Sequence, residues 1–214
     1  MSGATTRPAG QPAALSPADR LDAGLRRVDH HKLLMGIFIS SESAFFITLI
    51  VAYLNYRLNA SGFSGKQVAE ALDIGKTGLF SIALFASSAT LMMAERGLRR
   101  HSRWALRGWL GATIVLGAIF LVGQGLEYTT LYAENVTIHK NLFGTTFFTL
   151  TGFHGLHVFI GLLVLTIMLV LAFLRVFEEG KNETALVTAG YYWHFVDAVW
   201  VFIYSLVYLL AFAK

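Results

Sequence analysis

Five stretches of roughly twenty mostly apolar residues, set apart by charged connections, constrain this chain more than any other feature. They run from about Leu33 to Leu54, Thr77 to Ala94, Gly108 to Leu126, within Phe143–Leu174, and from about Gly190 to Phe212. A hydrocarbon core about 30 Å thick is crossed by roughly 20 helical residues. Lipid offers backbone amides no partner, so each stretch must close its own hydrogen bonds as a helix. The expected fold is all-α, an integral membrane bundle of five transmembrane helices. Composition agrees: 55% of the 214 residues are hydrophobic and 14% charged, where an ordinary soluble domain carries about a quarter charged residues. The fourth window is longer than a bilayer needs, so its start (NLFGTTFF) is expected to be a loop or an interfacial turn, or the helix to tilt.

The chain divides into a polar segment, residues 1–30, and the bundle, residues 31–214. Residues 1–15 read as a flexible tail, and no apolar segment resembling a secretory signal precedes the first span. Ser16-Pro17 suits a helix start, and Leu21, Leu25 and Val28 then recur at i, i+4, i+7 beside Arg20, Arg26 and Arg27. That pattern fits a short helix lying on an anionic membrane surface; a disordered tail fits it equally.

Lys and Arg set the orientation. The segments that share a side with the N-terminus (Arg7 to Lys32, Arg96 to Arg107, Arg175 and Lys181) hold twelve, and the opposite side (Arg57, Lys66, Lys76, Lys140, Lys214) holds five. The excess places the N-terminus in the cytoplasm and the C-terminus outside. It also accounts for the net charge of +4 without invoking nucleic acid. No repeat relates the two halves, so the inverted architecture of secondary transporters is not indicated. Small residues that let helices approach closely are Ala83/Ser87 and Ala86/Thr90, then Gly111 and Gly117, and Gly152 and Gly155.

Cysteine is absent, which removes disulfides, thiolate metal sites and thiol nucleophiles, while seven His leave imidazole ligation open. A charged residue in a span costs about 2.5–3.5 kcal/mol at the helix centre and so needs a reason. Glu42, in GIFISSESAFF, lies nine residues beyond Leu33, about 14 Å along a helix and close to mid-bilayer. It fits a proton relay or a lipid-headgroup contact, and equally a carboxyl hydrogen-bonded across helices. His154 and His157 are three apart on one helix face. Two His on one face cannot be opposing axial ligands of one haem, so hydrogen bonding to neighbouring helices, Glu42 or lipid is the expected use. His194 and Asp197, again i, i+3, are expected near the cytoplasmic end of the fifth span as an internal polar pair, with Tyr191, Tyr192 and Trp193 as an interfacial aromatic belt. Gln124 and Glu127 close the third span, where water or a partner subunit is expected to reach them. The sequence offers no nucleophile–base set, phosphate-binding glycine loop or metal-ligand cluster.

Residues 36–46 (GIFISSESAFF), 124–128 (QGLEY), 143–161 (FGTTFFTLTGFHGLHVFIG) and 192–209 (YWHFVDAVWVFIYSLVYL) closely resemble subunit III of haem-copper terminal oxidases, in the expected order. The chain resembles the short, five-helix form found in bacterial cytochrome c oxidases and bo-type quinol oxidases. The resemblance implies an accessory subunit with no haem or copper of its own. Such a subunit packs mainly beside subunit I of a proton-pumping oxidase, with subunit II and a small subunit IV as further partners, in the bacterial cytoplasmic (inner) membrane. It also implies phospholipid bound in a cleft between helices. Glu42 matches the family's carbodiimide-sensitive glutamate, His154 and His157 its paired histidines, and His194 and Asp197 its YWHFVD motif. The two leading helices of longer members are absent here, which leaves one wall of that cleft to a neighbouring subunit. A quinol oxidase or nitric oxide reductase accessory subunit is the alternative within the superfamily. Outside it stand a small proton-coupled transporter relaying through Glu42 and His154/His157, and a bis-His membrane cytochrome.

Overall fold

The computed structural model describes residues 30–59, 74–133, 142–177 and 183–209. The tail and surface helix expected before residue 30 lie outside them, as do Lys66, Lys140, Lys181 and Lys214 of the charge count. Five helices fill the described residues: α1 (His30–Asn59), α2 (Ile74–Arg99), α3 (Arg103–Ala133), α4 (Leu142–Phe173) and α5 (Glu183–Tyr204), the last continued by a π-helical turn, Ser205–Leu209. All five are long and apolar enough to cross a membrane. Hydroxyls on outward-facing positions fold back onto their own helices, as Ser40 donates to the Gly36 carbonyl (2.8 Å) and Thr48 to the Ala44 carbonyl (2.9 Å). This keeps polar side chains satisfied where no water reaches.

Helices α2, α3, α4 and α5 form a closed four-membered ring, α2 on α3, α3 on α4, α4 on α5 and α5 on α2. Helix α1 stands outside the ring, against α4 and α5. The ring's core is aromatic, built on Phe120, Phe147, Trp193, Trp200 and Tyr208. Glycines set the closest approaches. A Cβ at Gly117 would stand 2.7 Å from the Trp193 ring, one at Gly161 2.8 Å from its other side, and one at Gly123 inside contact with the Phe80 ring. Of the glycines expected from spacing, Gly111 has open space around its Cβ direction and Gly152 meets ordinary contact at 3.7 Å. Gly111 faces out of the bundle, and a small-residue pattern does not carry that direction.

The helices run past the apolar windows because hydropathy reports the bilayer, whereas a helix continues until something caps it. Helix α4 is helical from Leu142, so of the alternatives for this stretch residues 142–148 form helix and not a loop, with Phe147 and Phe148 buried. Helix α5 begins at Glu183, seven residues before the expected start. That shift moves His194 about 16 Å into the helix. Tyr192 and Trp193 are core residues, not an interfacial belt, and Tyr191 alone of the three is exposed. Helices α2 and α4 both end in Schellman turns, with Ser102 N–H bonding Gly97 C=O (2.9 Å) and Val176 N–H bonding Leu171 C=O (3.1 Å). The left-handed residue is His101 (φ 51°) in one and Arg175 (φ 64°) in the other.

Candidate functional site

Glu42 on α1 meets His157 on α4 across the span, Oε2 to Nε2 at 3.1 Å. The His157 Nδ1 lies 2.7 Å from the Phe153 carbonyl, one turn back on its own helix. A carbonyl only accepts, so Nδ1 carries a hydrogen. The neutral imidazole then has a bare Nε2, and the bond needs a hydrogen from the Glu42 carboxyl; alternatively imidazolium faces carboxylate. Either way a hydrogen lies between the two groups. The side chains are 12% (His157) and 23% (Glu42) exposed, so the contact is partly buried between α1 and α4. Tyr192 of α5 donates its hydroxyl to the His157 carbonyl at 3.1 Å, and its ring tilts against Phe38 of α1. Phe45 and Phe46 of α1 pack edge-on against Phe153 and the His157 ring. Three helices thus converge on one polar contact, in which Tyr192, expected in an interfacial belt, had no foreseen part.

His154, one turn before His157, has a different fate. Its side chain is fully buried, stacked on Trp200 (4.8 Å between ring centroids) and edge-on to Phe120. Neither ring nitrogen has a hydrogen-bond partner among the described residues. The two histidines therefore do not act together: one faces α1, the other the ring's centre.

Gln124 is not the accessible group expected at a span end, while Glu127 is half-buried. Helix α3 runs to Ala133, which carries both inward of its terminus. Gln124 is 7% exposed; its Nε2 donates to the Thr151 carbonyl (2.7 Å) and to the Tyr128 hydroxyl (3.2 Å). Tyr128 and Thr151 join through their hydroxyls at 2.8 Å. Thr151 donates to the Phe147 carbonyl, which leaves Tyr128 as donor to Thr151 and gives the chain a fixed direction. A Cβ at Gly155 would stand 2.9 Å from the Gln124 amide oxygen, so this glycine admits the amide between α3 and α4. The Glu127 carboxylate accepts from Thr77 of α2 (2.8 Å) and from Tyr208 (2.9 Å), joining α2, α3 and the π-helical turn.

A row of hydroxyls on α2 receives the side chains of α5. Trp200 Nε1–H donates to Ser81 (2.8 Å) and Trp193 Nε1–H to Ser87 (2.9 Å), while His194 Nδ1 meets Ser88 (3.1 Å). From Trp200–Ser81 to Trp193–Ser87 the number falls on α5 as it rises on α2, as antiparallel helices require. His194 and Asp197 share a face but make no bond to each other; His194 takes Ser88 and the Asp197 Oδ1 stays buried without a partner. In the sequence Ser87 was noted only for its small size and Ser81 and Ser88 were missed, although Thr77, Ser81 and Ser88 at i, i+4, i+11 already mark one helix face. Among the described residues no group of three or more His, Asp or Glu is arranged to hold a metal ion.

Comparisons with known proteins follow the same outline. Residues 26–212 match the family model described as cytochrome c oxidase subunit III. A Corynebacterium diphtheriae protein named cytochrome c oxidase subunit 3 is 36% identical over 175 residues, covering 81% of this chain and 85% of the relative. A Synechocystis protein of the same name is 37% identical over 174 residues, covering 81% and 73%. A Mycobacterium tuberculosis protein, a probable cytochrome c oxidase subunit 3, is 33% identical over 174 residues, covering 81% and 85%.

Proposed function

Because the chain belongs to the cytochrome c oxidase subunit III family, we propose that it is a haem-free accessory subunit of a proton-pumping haem-copper oxidase that reduces oxygen to water. In this reading it stabilises the catalytic subunit and binds phospholipid in the groove beside α1. Subunit I is its main contact, with subunit II and a small subunit IV beyond, and those partners hold the haem and copper. It lies in the bacterial cytoplasmic membrane with its N-terminus inside, as the charge asymmetry favours. The relatives' shared name favours cytochrome c as electron donor over quinol, and oxygen over nitric oxide as substrate.

The observation that carries this reading is the Glu42–His157 contact. Helix α1 lies outside the ring and presents Leu33, Ile37, Ile47 and Val51 outward, a surface suited to lipid or a larger membrane neighbour. Within its span a shared proton and a few aromatic contacts fasten it to α4 and α5. Such a contact can hold a helix and shape the groove beside it. A redox centre would need ligands from facing helices, and His154 and His157 point in different directions.

Glu42→Gln is expected to cause a modest loss of assembly stability with turnover largely kept, because the amide can still donate to His157 Nε2. Glu42→Leu leaves that nitrogen without a partner and is expected to cost more, about 1 kcal/mol given the partial exposure of the site. The measurement is thermal stability and oxygen consumption of the purified complex, which should contain this chain together with a much larger haem-copper polypeptide. The structural role of Glu42 is overturned if the Gln variant assembles normally yet loses oxygen reduction at once. Haem absorption bands from the isolated chain would overturn the accessory role itself.

A further inference from the structure

We propose that the π-helical turn closing α5 is a register switch controlled by α1, so that a displacement of α1 is felt where α2 and α3 are joined. The turn, Ser205–Leu209, continues α5 directly from Tyr204. Such turns are rare and often mark functional sites. This one aims a side chain. Tyr208 lies eight residues beyond Trp200, which in a continuous α-helix would set it about 80° round from that core ring. A π-turn holds one residue more than an α-turn and takes back most of that angle. Tyr208 is accordingly fully buried, with its ring centroid 6.3 Å from that of Trp200 and 5.2 Å from that of Tyr204, on which it stacks. Its hydroxyl donates to Glu127 of α3 at 2.9 Å, and Glu127 also accepts from Thr77 of α2. Winding the turn to α would swing Tyr208 away from the ring's centre and withdraw its hydroxyl from the carboxylate.

The helix that holds the turn stands outside the ring. Arg57 of α1 donates through Nη1 to the Leu206 carbonyl inside the turn at 2.8 Å. A donor inserted from outside competes with the helix's own amides for that carbonyl, a recognised cause of breaks in the i→i−4 ladder. Among the five spans α1 is also the least buried, 6% of its apolar window against 28% or more in the others. It is therefore the span most open to whatever lies beside the bundle. Glu42 fastens it in mid-span, fifteen residues and about 22 Å before Arg57, which leaves the outer end a lever. Helix α1 packs on α4 and α5, so a shift of that end reaches α2 and α3 through the turn. The coupling is reciprocal, as any thermodynamic coupling between two sites must be. The proposal rests on α1 spanning the membrane beside the ring, and neither on which subunit adjoins it nor on the role assigned to Glu42.

The test is amide hydrogen exchange of the purified complex, read on residues 78–85 of α2 and 125–131 of α3. Arg57→Gln should speed exchange in both by about tenfold, the weight of one hydrogen bond from a charged donor. Tyr208→Phe should do the same, and adding Arg57→Gln to it should have no further effect. Deleting Ser205 removes the extra residue and sets Tyr208 seven positions from Trp200, where an ordinary α-helix points it into the ring. That variant should keep slow exchange in both segments and lose all response to Arg57→Gln. No change on Arg57→Gln, an equal change with and without Ser205, or an additive change on top of Tyr208→Phe would each overturn the switch. Should the deletion fail to assemble, judged by its thermal midpoint, the Tyr208→Phe background decides by itself.

Discussion

Trp193→Ala is expected to destabilise the chain by about 3–5 kcal/mol, the range for emptying a buried aromatic site. The indole lies in a slot cut by Gly117 of α3 on one side and Gly161 of α4 on the other, with its N–H fixed to Ser87 of α2. One side chain therefore touches all three other members of the ring. In lipid its loss is felt as lost packing, since hydrocarbon tails solvate the separated helices as well as another helix does. Trp193→Phe separates the contributions, since it keeps much of the volume but drops the hydrogen bond, a loss of about 1 kcal/mol for the bond itself. The converse change, Gly117→Ala, is expected to cost about 1–3 kcal/mol by overpacking, because Gly161 blocks the ring from moving away. Denaturation by SDS of the protein in mixed micelles would measure all three. An alanine variant within 1 kcal/mol of the parent would mean the slot does not organise the ring.

Glu127→Leu carries the second large effect. The carboxylate accepts two hydroxyls from two other elements, and removing it takes this acceptor from both, leaving Thr77 and Tyr208 only each other. A lost acceptor costs about 1–3 kcal/mol, with the fully buried Tyr208 hydroxyl at the upper end. Glu127→Gln should recover most of the loss, since the amide oxygen still accepts one hydroxyl. The Tyr208→Phe/Glu127→Leu double mutant should cost less than the sum of the single changes, because the two act on one bond. Strict additivity in that cycle would show that the bond contributes nothing. The π-helical turn at Ser205–Leu209 belongs to the same junction: Leu206 within it accepts from Arg57 of α1 at 2.8 Å. Loosening Glu127 is therefore expected to loosen the far end of α1 as well, readable as faster hydrogen exchange there.

Some of this was legible in the sequence and some was not, for reasons that differ residue by residue. Glu42 and His157 were both singled out, and Glu42 was named among the expected partners of the paired histidines. His154 was grouped with His157 because a helix wheel puts them on one face, yet a face some tens of degrees wide spans both the α1 groove and the ring's centre. His194 and Asp197 were paired by the same rule; they make no bond to each other but both lie at Ser88. The start of their helix was misplaced because ETALVTAG is too weakly apolar to read as span, although Leu186, Ala189 and Gly190 inside it are buried. Gln124 was expected near water because the apolar window stops beside it, whereas the helix does not.

What the sequence determined by itself was the number of spans and the solvent they require, because a run of apolar side chains and the obligation of every buried amide to find a partner leave a chain in lipid one local answer. Tertiary structure alone decided which polar groups meet. A span that is apolar all round has no stripe to say which face turns inward, so the union of Glu42 with a histidine 115 residues away, or of Ser87 with Trp193, follows from how the helices pack and not from any one helix's pattern.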